Sequence, residues 1–190
     1  MSDMTSTITP SHKRIFFGLW PSPETAAALM NWVRQAHAVC GGRMMTPETL
    51  HLTLAFLGQV PSDVADSLAR QARHWQAPVG RIDLQRFGRF EGPRIVWAGP
   101  GRSDNERLPW LDALHDALWQ RLAPYGFEPE HAVFRPHVSL LRRAGPGDLS
   151  TLACPPLVWR PARCVLVESR PSHEASRYQV LAQLPLSLCD

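Results

Sequence analysis

Apolar and polar positions alternate with period two over residues 50–58. Leu50, Leu52, Leu54 and Phe56 fall on one face, and His51 and Thr53 on the other. The pattern predicts a strand with one side in a core and one polar corner, ended by Gly58. It returns as His137, Val138, Ser139 and Leu140, 86 residues later (137 − 51), too far away for a hairpin partner. Residues 15–20 are apolar throughout and predict a buried strand. A helix is expected over 24–39, with Ser22 as its N-cap, Pro23 at its first position and Gly41-Gly42 as its stop. Pro61-Ser62-Asp63 opens a second helix, with Val64, Leu68 and Trp75 near helical spacing and Pro78 as its end. Residues 81–84 and 94–98 read as strands around a Gly- and Pro-containing loop at 87–93, and 99–101 as a turn. Leu111, Leu114, Leu118 and Leu122 form one stripe of a third helix, over 108–122. After the second His strand the chain breaks at 142–147, and 153–161 is proline-rich with no clear pattern. Strands follow at 164–168 and 178–182, joined by a turn at 170–174.

This order predicts an α+β chain of mixed or antiparallel sheet covered by helices on one side. Residues 1–12 are polar, lack the apolar stretch of a secretory signal, and are expected to form a flexible tail. Residues 13–190 are expected to form a single domain, since no linker or low-complexity segment divides them.

Composition narrows the class. With 190 residues, 44% of them hydrophobic and 19% charged, the chain has enough apolar material for a core. No apolar run approaches the roughly 18–20 residues of a membrane span. Cys40, Cys154, Cys164 and Cys189 form no Cys-x-x-Cys and sit at no zinc-ligand spacing with a histidine. The expectation is therefore a reduced, cytoplasmic, monomeric protein with no structural metal and no cofactor. The net charge is only +3, but 19 of the 20 basic residues are arginine, Lys13 being the one lysine. Arginine suits phosphate because its planar fork donates paired hydrogen bonds. A GC-rich genome gives the same bias, so charge alone does not establish a nucleic-acid partner.

A lone histidine on a strand is more often a hydrogen-bonded structural residue than a catalyst. Two copies of His-x-Thr/Ser change that reading, because two halves can each offer an imidazole and a hydroxyl to a shared cleft. Two imidazoles titrating near 6.5 can hold opposite protonation states near neutrality, one as base and one as acid. Hydroxyls and an arginine would stabilise charge on phosphoryl oxygens, and the scheme needs no metal. It predicts a bell-shaped kcat/KM with its maximum near neutrality. Strict alternation puts Arg142 on the Val138 face, away from His137, whereas Arg135 shares the His137 face. Either the strand bulges after Leu140 and Arg142 enters the cleft, or Arg135 does part of that work. His115, beside Asp116, reads as a surface or core-edge residue, and His37 and His74 as solvated helix positions. His12, His131 and His173 lie in turns or the tail. Phe56 could stack on a base, but its parity points it toward the core.

Several stretches together resemble the two-histidine (2H) phosphoesterases, in particular the bacterial RNA 2′,3′-cyclic phosphodiesterases of the LigT-like, or 2′-5′ RNA ligase, branch. They are Arg14-Ile15-Phe16-Phe17-Gly18-Leu19, the run from Pro47 to Gly58 around His51, the run from Phe134 to Arg142 around His137, and Leu166-Val167-Glu168-Ser169. The resemblance implies two pseudo-symmetric lobes of mostly antiparallel sheet, helices on their outer faces, and an active-site cleft between them. It implies His51 as proton donor, His137 as proton acceptor, and Thr53, Ser139 and Arg142 as phosphate-binding residues. It also implies metal-independent hydrolysis of RNA 2′,3′-cyclic phosphate ends to 2′-phosphates, with reverse joining through a 2′-5′ bond. The alternatives are the same site acting on 2′,5′-linked oligonucleotides or another cyclic nucleotide, and a non-catalytic RNA-binding module. The partner expected is RNA or a small cyclic nucleotide, with no membrane.

Overall fold

The apolar runs assemble into one sheet of nine strands in a computed structural model that describes residues 11–103, 106–130, 133–170 and 177–188. The chain begins with β1 (His12–Trp20), α1 (Pro23–Cys40), β2 (Arg43–Met44), β3 (Leu52–Pro61) and α2 (Ser62–Ala72). It continues through β4 (Ala77–Val79), β5 (Ile82–Phe90), β6 (Ile95–Pro100), α3 (Pro109–Leu122) and β7 (Val138–Arg142). It ends with β8 (Leu157–Trp159), β9 (Arg163–Arg170), β10 (Arg177–Leu184) and β11 (Leu186–Leu188). The strand order is β10-β9-β1-β3-β7-β6-β5-β8, with β2 laid against β7, and these pairs are antiparallel. β4 and β11 form a separate parallel pair. The expected α+β class holds. The halves β10-β9-β1-β3 and β7-β6-β5-β8 meet where β3 pairs with β7 at Leu52 and Val138.

One face of the sheet carries the main core. Leu29, Trp32, Val33 and Ala36 of α1, Ala65, Leu68 and Ala72 of α2, and the four-leucine stripe of α3 all pack into it. Each fully buried leucine there contributes about 1.5–3 kcal/mol. In β1, Ile15, Phe17 and Leu19 enter this core, whereas Phe16 and Trp20 turn to the opposite face with Val165 and Val167 of β9. That second cluster explains why residues 15–20 of β1 are apolar on both faces of the strand.

The start of α1 follows the predicted local chemistry: the Ser22 hydroxyl accepts from the Thr25 amide at 3.2 Å. Other boundaries move. α2 ends at Ala72, so Trp75 lies beyond it and stacks on Phe17 at 5.9 Å, and Pro78 belongs to β4. The expected loop at 87–93 is largely strand, because β5 runs to Phe90 and pairs with β6. Leu157–Trp159 of the unpatterned stretch adds β8 at the sheet edge. His12 lies in β1, inside the expected tail. His131, His173, Cys189, residues 1–10 and most of the expected 170–174 turn lie outside the described residues.

Gly58 does not end its strand. It adopts φ 69° within β3, which runs on to Pro61. Opposite β1, Ala55 faces Phe17 and Thr53 faces Gly18, leaving Leu54 extra; Gly58 faces Ile15 and Phe56 faces Phe16, leaving Leu57 extra. Each bulge flips the alternation of the residues beyond it. Phe56 is thereby carried out of the predicted core face and packs with Phe16 and Tyr178 on the second face.

Candidate active site

The Leu52–Val138 pairing builds the centre. In an antiparallel pair, extending this register by one residue each way sets His51 across from Ser139 and Thr53 across from His137. The two His-x-Thr/Ser segments are thus related by a local twofold axis through one backbone pair. Thr53 faces Gly18 in β1, and a Cβ on Gly18 would lie 3.5 Å from the His51 ring and 2.9 Å from the Leu52 carbonyl oxygen. Thr53 therefore shares the face of His51, and only glycine at position 18 lets these groups approach so closely. Ser139 faces Trp97, whose ring lies 6.3 Å from that of His137.

Both imidazoles are held in one way. The His51 Nδ1–H donates to the Thr49 carbonyl at 2.7 Å, and the His137 Nδ1–H donates to the Arg135 carbonyl at 2.9 Å. A carbonyl can only accept, so each Nδ1 carries hydrogen and each Nε2 is left to gain or release a proton. The carbonyls are themselves fixed. Thr49 closes a turn of 3-10 helix, Pro47–Thr49, through its hydroxyl to the Thr46 carbonyl at 3.0 Å and the Thr46 amide to its hydroxyl at 2.9 Å. Arg135 precedes Pro136, which restricts it to extended backbone. The Phe134 before it is held through its carbonyl by Arg107 at 2.9 Å and through its ring by His115 at 4.1 Å. His115 also accepts from the Trp119 indole at 3.0 Å, so it braces this segment, consistent with a core-edge role.

A third bulge, in β7, sets where Arg142 lies. Leu141 faces Val96 and Ser139 faces Trp97, so Leu140 is extra. Beyond it Arg142 returns to the Ser139 face. Its charge lowers the proton affinity of both His51 and His137, which puts it beside the pair. The exposed Arg135 contributes its carbonyl to His137 and lines a groove that opens beside that imidazole. The same offset carries Phe56 onto the corresponding spot of the first half, with the Arg14 guanidinium 4.9 Å above its ring.

The halves differ in enclosure. His51 is 8% exposed and boxed by Trp20 at 4.7 Å, Phe16 at 4.8 Å and Tyr178 at 5.5 Å. Burial drives its imidazole down to about 4, against the Thr49 hydrogen bond and with help from the charges of Arg142 and His137. His137 is also lowered by burial, with its Arg135 hydrogen bond opposing and Arg142 assisting. Burial raises the Tyr178 phenol, while Arg142, Arg14 and Arg43 pull it down. Three arginine charges thus act on one corner of the cleft and favour an anion there. The sequence pattern does not mark Trp20, Tyr178 or Arg43 as site residues, and Arg14 and Phe16 stand in it only as part of the resemblance. The one local signal is for Phe16 and Trp20, which alternate with Gly18 inside a run buried on both faces.

His51 ties stability to pH. The unfolded chain binds this proton near 6.5 and the folded chain only near 4, so acid favours unfolding. The contribution is whole above about pH 6.5 and is lost as pH falls toward about 4. It amounts to roughly 3 kcal/mol at about 1.36 kcal/mol per unit. Urea midpoints of the wild type are expected to fall between pH 7 and pH 4.5 by more than those of His51→Gln. Equal falls would show that His51 titrates normally.

The family profile of the 2'-5' RNA ligase superfamily matches residues 21–169, and this chain belongs to that family. It is 32% identical over 120 residues to the RNA 2′,3′-cyclic phosphodiesterase of Aeropyrum pernix, a match spanning 62% of this chain and 66% of that protein. Over 147 residues it is 28% identical to the Escherichia coli K12 protein of the same name, spanning 77% of this chain and 80% of that one. In three dimensions it is similar to E. coli LigT complexed with 3′-AMP, with TM-score 0.75 and 25% identity over 93% of this chain and 99% of that one. Among the described residues no helix is long and apolar enough to cross a membrane, and no three His, Cys, Asp or Glu side chains converge as metal ligands.

Proposed function

We propose that this protein hydrolyses RNA 2′,3′-cyclic phosphate ends to 2′-phosphates by two-histidine acid–base catalysis. The observation that carries the reading is the pair of imidazoles, each with Nδ1 on a main-chain carbonyl and Nε2 free, beside Arg142. One imidazole takes a proton from water as its oxygen bonds to phosphorus. The P–O3′ bond breaks, and the other imidazole protonates O3′, leaving the phosphate on O2′. A 5′-hydroxyl in place of water gives a 2′-5′ bond instead. Thr53, Ser139 and Arg142 bind the phosphoryl oxygens and stabilise the charge that develops there.

By resemblance His51 donates and His137 accepts. Enclosure favours the opposite division, since His51 is the more buried of the two and burial penalises a protonated imidazole. The resemblance-based order works when the bound phosphate anion raises His51. In either case the singly protonated pair is populated below the ordinary histidine range, so kcat/KM is expected to peak on the acid side of neutrality. The protein is further proposed to act as a cytoplasmic monomer.

The test is a panel of cyclic mononucleotides, cyclic-phosphate oligoribonucleotides and 2′,5′-linked oligomers, incubated with enzyme and EDTA, with end groups identified. Cyclic phosphates should open to 2′-phosphates at an undiminished rate. Strict dependence on an added divalent cation would overturn the mechanism. Turnover of the 2′,5′-linked oligomers alone would move the site to that substrate, and binding without any turnover would leave an RNA-binding module.

A further inference from the structure

A groove opens from His137 away from the His51 box. It is a cavity of ≈ 360 Å³ lined by Arg86, Arg89, Phe90, Trp97, Phe134 and Arg135 among others. The volume lies at the small end of the roughly 300–1,000 Å³ of ligand pockets, which suits one unit of a single strand at a time. Among the described lining residues the charge is net positive. Against Arg86, Arg89, Arg107 and Arg135 stand Glu106 and Asp112, and Asp112 is taken up by Arg107 at 2.5 and 3.0 Å. Arg89 is turned onto the Gly145 carbonyl at 2.6 Å. Rings alternate with these cations: Phe90 stands edge-on to His137 at 4.8 Å, and Arg86 lies over Trp97 at 5.1 Å. Cations interleaved with ring faces suit phosphates and unstacked bases of a single strand.

The asymmetry of the site gives the direction. Around His51 the matching space is filled by Phe16, Trp20 and Tyr178. A phosphate seated between the two imidazoles therefore has an open route on the His137 side.

We propose that this groove binds the single-stranded RNA on the 5′ side of the terminal cyclic phosphate, so that oligonucleotide ends are preferred to cyclic mononucleotides. The proposal rests on the cyclic phosphodiesterase reading and extends it to the body of the substrate. Val133 supplies the probe, because it lines the groove, is 59% exposed and has no part in the acid–base site.

The experiment measures kcat/KM for a cyclic mononucleotide and for cyclic-phosphate oligoribonucleotides of two to eight nucleotides, over a range of salt. The wild type should favour the longer substrates by about tenfold or more, mostly through KM. The preference should weaken with salt, with a log–log slope of roughly 0.7 per phosphate contacted. Val133→Glu should cut that preference several-fold and Val133→Lys should raise it, both leaving mononucleotide turnover as it was. Equal kcat/KM for all lengths in the wild type would overturn the groove, as would Val133 variants that alter mono- and oligonucleotide turnover alike. Failure to open any cyclic phosphate would instead overturn the underlying phosphodiesterase reading.

Discussion

His51→Ala and His137→Ala are each expected to lower turnover of cyclic-phosphate ends by about 10²- to 10⁴-fold, the usual contribution of one positioned acid or base. The double variant should lose little more, because the two imidazoles act as one unit and removal of either stops the proton circuit. Circular dichroism and urea midpoints at pH 7 separate this from unfolding. His51 lies in an aromatic box, so His51→Gln is the gentler companion variant there. Near wild-type turnover by either alanine variant on every substrate would end the shared-site reading. The same variants assign the roles. An activated aryl phosphodiester needs little protonation of its leaving group, so it should rescue the variant that lacks the acid and not the one that lacks the base. Rescue of His51→Ala supports the order taken from resemblance, and rescue of His137→Ala supports the order that burial favours.

Arg142→Ala is expected to cost about 10²-fold in kcat/KM on all cyclic phosphates, as removal of an oxyanion donor does in favourable cases. Leu140 is the reason. Its bulge returns Arg142 to the Ser139 face, where its charge acts on both imidazoles. Arg135→Ala keeps the carbonyl that orients His137 and should give a much smaller loss, concentrated on oligonucleotides. A dead Arg135 variant beside an active Arg142 variant would mean that strict alternation had described β7 better than its pairing with β6.

That contrast also marks what was legible in the chain. The His51 and His137 segments declare themselves, because a polar pair interrupting an apolar alternation is a local signal. Helix starts were legible for the same reason: Ser22, Pro23 and the leucines of α3 act within a turn or two of their own positions. The bulges at Leu54, Leu57 and Leu140 are set by pairing with β1 and β6, distant in sequence, and no local pattern marks them. For that reason alternation alone turns Phe56 toward the core, leaves the cleft entry of Arg142 open and makes Gly58 a stop. The box around His51 was hidden differently. Residues 15–20 show that both faces of β1 are covered, but not that one face is covered by an imidazole and a tyrosine from β10.

The main-chain anchoring of the two imidazoles bears on how the site withstands genetic drift. Where a carboxylate side chain orients a histidine, a single codon change can delete the partner. Here the acceptors are the carbonyls of residues 49 and 135, and every amino acid carries that group. Replacement at 135 leaves the tautomer in place, whereas replacement at 49 keeps the acceptor but removes the hydroxyl that closes its turn. The sites of mutational vulnerability therefore shift to the groups that shape the backbone path, Pro47 and the Thr49 hydroxyl before His51 and Pro136 before His137.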